Sequence, residues 1–427
     1  MSREGSRMLS TGELHRSRPT KQQGIALVLA LLVVSIVTAI SVTLISSSYL
    51  RNKRVFRQIH SLEQKAAFSQ VEAYAQKALK QDKEYDLTKQ ETERFDACTD
   101  LWGQVLQLPS PDGAGVLKGA LSDLGGRFNV NSLRPLDASG VKGDPNDNES
   151  DEVKRKLGTS GSGSFPNSQP QLVFINLLMQ FNDSLSEPIT VEMAKNITAA
   201  LVDWLDKNNQ PIEQYGAEES FYEGLGLNFR PANRTMTDPS ELLQVLQVID
   251  NTLLASQLFE LLLPNITVWP KDGPYLLNVN AMSRELMVSV ITPNLPIDPS
   301  AQYPQLTPNE VESVNFPSSF ELLDDLTETI NTVNEGVSEK GMSVDSEALK
   351  LGIVSDTFEL SSEVVMEDAR RTLYTVLQRK PQESSRSGPL APTEPEAEGS
   401  SDATSIDAYD VTVLSRRFES LESTPCP

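Results

Sequence analysis

The chain has 427 residues, a formal net charge of −22 and 38% apolar residues. That length allows two or three domains, and the low apolar share leaves part of the chain to loop or tail. So acidic a body repels nucleic acid and anionic lipid and suits divalent cations or a basic partner surface, while two histidines, His15 and His60, leave little basis for a His-based triad or a zinc site.

Residues 1–24 run against the overall charge. Arg3, Arg7, Arg16, Arg18 and Lys21 face Glu4 and Glu13, a net of +3, which leaves the rest of the chain at −25 (−22 less +3). From Ile25 to Leu50 no residue is charged. As a helix at about 1.5 Å per residue this run measures ~39 Å, enough to cross a hydrocarbon core of ~30 Å with some tilt. Three readings compete. One is a signal anchor that is never cut. A secretory signal peptide fits poorly, because its apolar region is shorter and ends in an Ala-x-Ala-like site, whereas this run ends in Ser46-Ser47-Ser48. The third is a prepilin-type leader, KQQG|IALVLALL, cut between Gly24 and Ile25 with the helix retained. Gly24 offers a peptidase a flexible, side-chain-free residue at the scissile bond. Arg51, Lys53, Arg54 and Arg57 follow the run closely, so charge alone does not orient it.

Beyond Arg51 the helix continues to about Gln81. Val55, Ile59, Leu62 and Ala66 recur at 4-3-4 spacing, and Phe68, Val71, Ala75 and Ala78 extend the stripe. Val116 to Leu124 reads as a strand, Gly125-Gly126 as its turn, and Arg127 to Leu133 as a second strand. Residues 137–170 are rich in Gly, Ser, Asp and Asn and read as a loop. Helices are expected at 172–178, 191–204, from Asp238-Pro239 as cap and first position, at 253–263, from Ser283, and at 321–332. Leu277 to Asn280 is short and extended. Strands return at 351–360 and 364–377, the latter with Arg370, Thr372, Tyr374 and Val376 on one face, and a last edge strand is expected at 411–418. The predicted fold is α+β: a long N-terminal transmembrane and pilin-like helix packed on a small antiparallel sheet, with a large all-α domain inserted between strands. Its expected segments are a leader (1–24), a transmembrane helix (25–50), a pilin-like helix and first strands (51–136), the loop (137–170), the inserted α-domain (171–335), further strands (336–380), an acidic linker (381–404) and a final strand and tail (405–427).

The chemistry concentrates in one loop. Asp203 to Glu213 leaves a helix end, and Gly216-Ala217-Glu218-Glu219 follows. Calcium takes 6–8 oxygens from carboxylates, amides and carbonyls of irregular loops. Asp206, Asn208, Glu213, Glu218 and Glu219 are the candidate ligands, although the mid-loop Gly of an EF-hand is missing. The competing reading is helix caps and solvated acids. Asp144, Asp147 and Asp151 form a weaker alternative. No nucleophile–base–orienter arrangement is evident, and Asp324-Asp325 reads as a solvated helix face rather than a glycosidase pair. Cys98 and Cys426 are the only cysteines, lack metal-type spacing, and pair only if the fold brings them together.

Several stretches together resemble the K-type minor pseudopilin family of type II secretion systems. They are the leader, LSDLGGRFNVNSL (121–133), AALVDWLDKNNQPIEQYGAEESFY (199–222), RPANR, SELLQV, LLNVNAMS (276–283) and VTVLSRRFES. Most pseudopilins resemble a pattern with Glu at the fifth mature position; here it is Leu29, and the K-type family shares that absence. The resemblance implies a non-enzymatic subunit at the tip of a periplasmic pseudopilus, required for export of folded proteins. It also implies a single-pass inner-membrane protein cut by a prepilin peptidase, with its globular part in the periplasm. The implied partners are the I- and J-type minor pseudopilins and the inner-membrane assembly platform, and the implied α-domain binds calcium. Two other functions compete: a membrane-anchored calcium-binding surface enzyme, and a nucleic-acid receptor using helices around LNVN, which the charge opposes.

Overall fold

The computed structural model describes residues 23–90, 94–109, 116–134, 165–166, 168–212, 215–271, 275–291, 349–366, 369–381 and 409–418, with Phe320, Asp325 and Glu328. Residues 1–22 of the expected leader, the loop at 137–164, most of the helix at 321–332 and the acidic linker lie outside them. Contacts divide the chain into a unit ending at Lys65 and a unit from Ala66 onward.

Helix α1 runs without a break over Gln23–Asp86. In the first unit its large apolar side chains are exposed, among them Ile25, Leu29, Ile36 and Ile45. Val55, Ile59 and Leu62, the first half of the stripe, are exposed as well. Burial begins where the second unit does: Ala67, Phe68, Val71, Ala75, Ala78 and Leu79 turn inward at helical spacing.

That buried face lies on a five-stranded sheet of β1 (Leu106–Pro109), β2 (Val116–Asp123), β7 (Thr357–Met366), β8 (Ala369–Pro381) and β9 (Tyr409–Arg417). The strand order is β1-β2-β7-β8-β9, and every neighbouring pair is antiparallel. Phe68, Val71 and Leu79 share one core with Leu117 and Leu121 of β2, Phe358, Leu360 and Val364 of β7, and Leu373 and Leu377 of β8. Each such side chain contributes about 1.5–3 kcal/mol on burial. Trp102 closes this core edge-on against Phe358, with ring centroids 5.0 Å apart.

Everything between β2 and β7 is an insertion, as the order of strands and helices anticipates. Among the described residues its helices include α2 (Gln169–Gln180), α3 (Val191–Leu205), α4 (Glu219–Gly224), α5 (Leu242–Val245), α6 (Thr252–Leu262) and α7 (Arg284–Ile291). They bury a separate core around Phe174, Leu177, Ile197, Leu201, Trp204, Tyr222 and Leu258. Asp238 and Pro239 open a 3-10 turn ahead of α5 through a capping box with Glu241, as expected from the sequence.

Two expectations need correction. Arg127–Leu133 is not a full strand. Only Phe128–Asn129 (β3) pairs, in parallel with β4 (Ile266–Thr267), because the Asn129 side chain accepts from the Asn131 backbone and turns the chain into a 3-10 helix. The returning strands are also misplaced by several residues. Residues 351–360 divide into β6 (Leu351–Gly352) and the start of β7, and β7 and β8 form one hairpin that turns after Met366.

LNVN repeats the geometry of FNVN. β5 (Leu277–Asn278) pairs in parallel with β6, and Asn278 caps the 3-10 turn that follows. The asparagines are spent on this architecture. Asn131 donates to the Met236 and Val268 carbonyls at 3.1 and 3.0 Å. Asn278 donates to the Asp96 carbonyl, to Asp123 and to Ser355 at 2.9–3.0 Å. The two repeats also touch: a Cβ at Gly126 would stand 2.1 Å from the Ala281 carbonyl oxygen, so only glycine fits there. Leu277, Asn278 and Val279 are buried and Asn280 is half-buried, so LNVN is a structural element of the fold.

Candidate functional site

Two parts of the chain are candidates for functional chemistry: the apolar half of α1 and the acidic loop after α3. In the first, a window of mean hydropathy 2.9 lies wholly on the surface. By length and composition it can cross a membrane. Several of its hydroxyls are satisfied within the helix: Ser35 donates to the Leu32 carbonyl, Thr43 to Ile40 and Ser47 to Leu44, at 2.8–2.9 Å. In hydrocarbon, with no water to accept those protons, this internal pairing removes most of their cost. Gly24 and Ile25 both lie inside the helical span.

The acidic loop is built around Asp203, which was not among the expected ligands. It sits on the last turns of α3, fully buried. Its carboxylate accepts from the Ala217 backbone at 2.7 Å and the Ile212 backbone at 3.3 Å, so it pins both ends of the loop. The fit is close: a Cβ at Gly216 would lie 2.1 Å from Asp203 Oδ2 and 2.3 Å from the Ile212 nitrogen. Burial, with the charges of Glu218 and Asp206 adding to it, pushes the Asp203 carboxyl up to about 7.

Asp206 caps the end of α3 and accepts from Asn208 twice, from its backbone at 3.1 Å and its side-chain amide at 2.7 Å. Burial raises its carboxyl above the ordinary range. Asn208 is engaged further, its side-chain oxygen accepting from Gln210 at 2.7 Å and its carbonyl from Asn233 at 3.0 Å. Asn233, from RPANR, reaches this position from a left-handed backbone, φ 49°. Glu218 is buried, and its Oε1 has no hydrogen-bond partner. Burial and the charge of Asp206 push Glu218 up to about 7. Glu219 is exposed at the start of α4. Glu213 lies outside the described residues, as do Asp144, Asp147 and Asp151. The loop therefore brings Asp203, Asp206 and Glu218 into mutual repulsion, while Asn208 serves the loop itself. A signal for Asp203 was present. It stands one helical turn after Ala199 and Ala200, in the run AALVDWL (199–205) whose other residues are all apolar, a setting that solvated acids avoid.

A second group of acids has its cation built in. Asp82, Asp96 and Asp100 place carboxylate oxygens within 4.8 Å of one another. Arg379, fully buried, donates to Asp96 at 2.6 Å, to Asp82 at 3.2 Å and to the Ser355 carbonyl at 2.8 Å. Lys83 stands 3.7 Å from Asp96. A guanidinium already takes the place a metal would fill, so this group ties the end of α1 to β8 and to the loop around Asp96. Burial, with Asp96 adding to it, still pushes Asp82 up to about 7. Cys98, in the same loop, is disulfide-bonded; the chain's other cysteine, Cys426, lies outside the described residues.

Residues 126–271 match the family model of type II secretion system protein K. A type II secretion system protein K of Pseudomonas aeruginosa is 25% identical over 361 residues, 84% of this chain and 89% of that protein. One from Pectobacterium carotovorum subsp. carotovorum is 31% identical over 173 residues, 40% of this chain and 42% of the relative. In fold, the chain is similar to a chain of the crystal structure of the GspK-GspI-GspJ complex from the enterotoxigenic Escherichia coli type 2 secretion system. That likeness has a TM-score of 0.50 at 16% identity and covers 85% of this chain and 99% of the other. The matched family region begins at the Gly126 turn and takes in the first FNVN motif and the acidic loop, and the relatives extend the match to most of the chain. Over residues 126–271, and at lower identity over most of its length, the chain is similar to protein K of the type II secretion system, and its N-terminal apolar helix is long enough to cross a membrane.

Proposed function

We propose that the protein caps the tip of a periplasmic pseudopilus and so takes part in export of folded proteins across the outer membrane. The insertion between β2 and β7 carries this reading. Those strands pair directly, so the sheet is complete without the α-domain, and the added bulk has its own core. A helical stack can accept such a subunit at its end, whereas an interior subunit must receive a copy above it. Leu29 supports the same placement: where a carboxylate would pair with a neighbouring subunit's terminal amine, this chain has an apolar side chain. The role is structural rather than catalytic, with cleavage at Gly24–Ile25 releasing the mature helix. Its partners are I- and J-type minor pseudopilins, as in the complex whose fold it shares, together with the inner-membrane assembly platform.

The acidic loop completes the proposal as a structural calcium site. Asp206 and Glu218 would supply carboxylates, Glu218 Oε1 being buried without a partner, and Asp203 would hold the loop closed behind them. Bound there, a divalent cation would add to the positive charge of Arg134, which already acts on Asp206, and offset the repulsion among the three acids. Tagged full-length protein extracted from inner membranes is expected to bring the I- and J-type pseudopilins with it, and deleting its gene is expected to abolish secretion. Unchanged secretion in the deletion strain would overturn the tip assignment.

A further inference from the structure

The insertion joins the sheet at one place. Asp123, where β2 gives way to it, and Phe358, at the start of β7, are register partners, and the Leu124 amide donates to the Thr357 carbonyl at 3.0 Å. Both chain crossings therefore lie side by side. The two large apolar cores stay separate on either side of them. Close to the crossings the seam is packed: Asn278 reaches Asp123 and Ser355, and Val279, Phe320 and Ile353 form a small apolar cluster. Elsewhere the seam holds a cleft of about 340 Å³, lined in part by Ser122, Arg127, Glu260 and Glu285. Two separate cores, adjoining crossings, and a seam that is tight at one end and open at the other make the arrangement of a hinge.

A second hold on the insertion comes from β9. Arg417, its last residue, donates to Glu359 of β7 at 2.7 Å and lies over the Tyr374 ring, 5.8 Å from its centroid. The same guanidinium stands 3.6 Å from Oδ2 of Asp238 in the insertion, whose Oδ1 caps the Ser240 amide. Arg127, at the start of the insertion, stands 3.9 Å from the other oxygen of Glu359. Charges therefore alternate across the seam as Arg127, Glu359, Arg417 and Asp238, and the links differ in strength. The Glu359 side chain is 3% exposed, so its pairing with Arg417 is sheltered. Asp238 is 43% exposed, so its pairing is longer, open to water and screened by salt. Arg417 is thus fixed to the sheet and holds the α-domain by a contact that solvent can release. We propose that Arg417 and Asp238 form a releasable latch that holds the inserted α-domain against the sheet, and that the domain swings about the crossings at Asp123 and Phe358 when the latch opens.

The test measures a distance in full-length protein in detergent, by pulsed electron paramagnetic resonance. Spin labels are carried on ketone-bearing residues placed at Leu253 of α6 and Thr412 of β9, both exposed, so that Cys98 is left untouched. D238N removes the charge and keeps an oxygen for the cap, since Asn caps as well as Asp. It is expected to raise the share of a second, longer distance about threefold, and R417E, which turns attraction into repulsion, about tenfold. In the wild type, about 1 M salt, where the screening length is ~3 Å, is expected to raise the same longer distance, and in D238N to change it little. Amide protection at 411–415 reports whether β9 stays paired; where R417E loses it, D238N and the salt series decide. Distributions like wild type in both variants at both salt levels would overturn the latch. So would a longer distance in R417E alone, since the effect would then lie in the sheet rather than at Asp238.

Discussion

Replacing Arg379 by Met is expected to destabilise the full-length protein by about 3–5 kcal/mol, the usual cost of removing one partner from a buried ion pair. The loss follows from geometry. Asp96 and Arg379 are both fully buried, and the guanidinium contacts Asp96, Asp82 and the Ser355 carbonyl at once. Without it, Asp82, Asp96, Asp100 and Asp356 would face one another with Lys83 as the nearest remaining cation. The loss is also expected to depend on pH. Arg379 lowers the Asp82 carboxyl, so its removal drives that group above its present value of about 7. For an acid raised on folding, the native state holds the proton that the unfolded chain releases. Stability is therefore fully present below about 4, the unfolded value, and drains away as pH rises through the folded value. Urea unfolding at pH 5 and pH 8 checks this: the gap between wild type and variant should widen at pH 8, and an equal gap at both would contradict an electrostatic role for Arg379.

Calcium is expected to stabilise chelator-treated protein at pH 8 and to do far less at pH 5. Asp203 and Glu218 both stand at about 7, raised by burial first and by neighbouring carboxylates second. Without a cation, their contribution has the same sign as that of Asp82: stability falls as pH climbs from about 4 to 7. A bound cation needs the charged forms. At pH 8 it meets them ready, whereas at pH 5 it must displace protons. At a calcium concentration a hundredfold above Kd the gain is about 2.7 kcal/mol. Glu218→Gln should abolish the calcium shift while leaving the metal-free protein at pH 8 as stable as before or more so, since a repelling charge is gone. Thermal unfolding with chelator and with calcium is the measurement. A calcium shift of unchanged size in Glu218→Gln would remove Glu218 from the site.

Much of the architecture was legible because single-element signals are local. The uncharged run from Ile25 and the stripe Phe68, Val71, Ala75, Ala78 announce one long helix and its buried face. The interruption of strands by a helical block announces the insertion. The β7–β8 hairpin was misplaced because its turn, near Glu367-Asp368, contains neither Gly nor Pro, while Ser361-Ser362, polar enough to suggest a break, lie inside the strand with Ser362 buried. Long-range chemistry was not legible. Nothing near Arg379 in sequence indicates that its partners are Asp82 and Asp96, 297 and 283 residues earlier. The acidic loop was found from its oxygen-rich composition, but which acids are buried depends on Gly216 bringing the chain back onto Asp203, a packing fact that composition does not encode.

Delivery and assembly of this chain as a pseudopilin, through its N-terminal helix, are decided by the N-terminal sequence of the protein extracted from membranes of cells with and without a prepilin peptidase. The expected chain begins at Ile25 when the peptidase is present and at Met1 when it is absent. A chain that begins at Met1 in both, or one cut beyond Ser48, would contradict this.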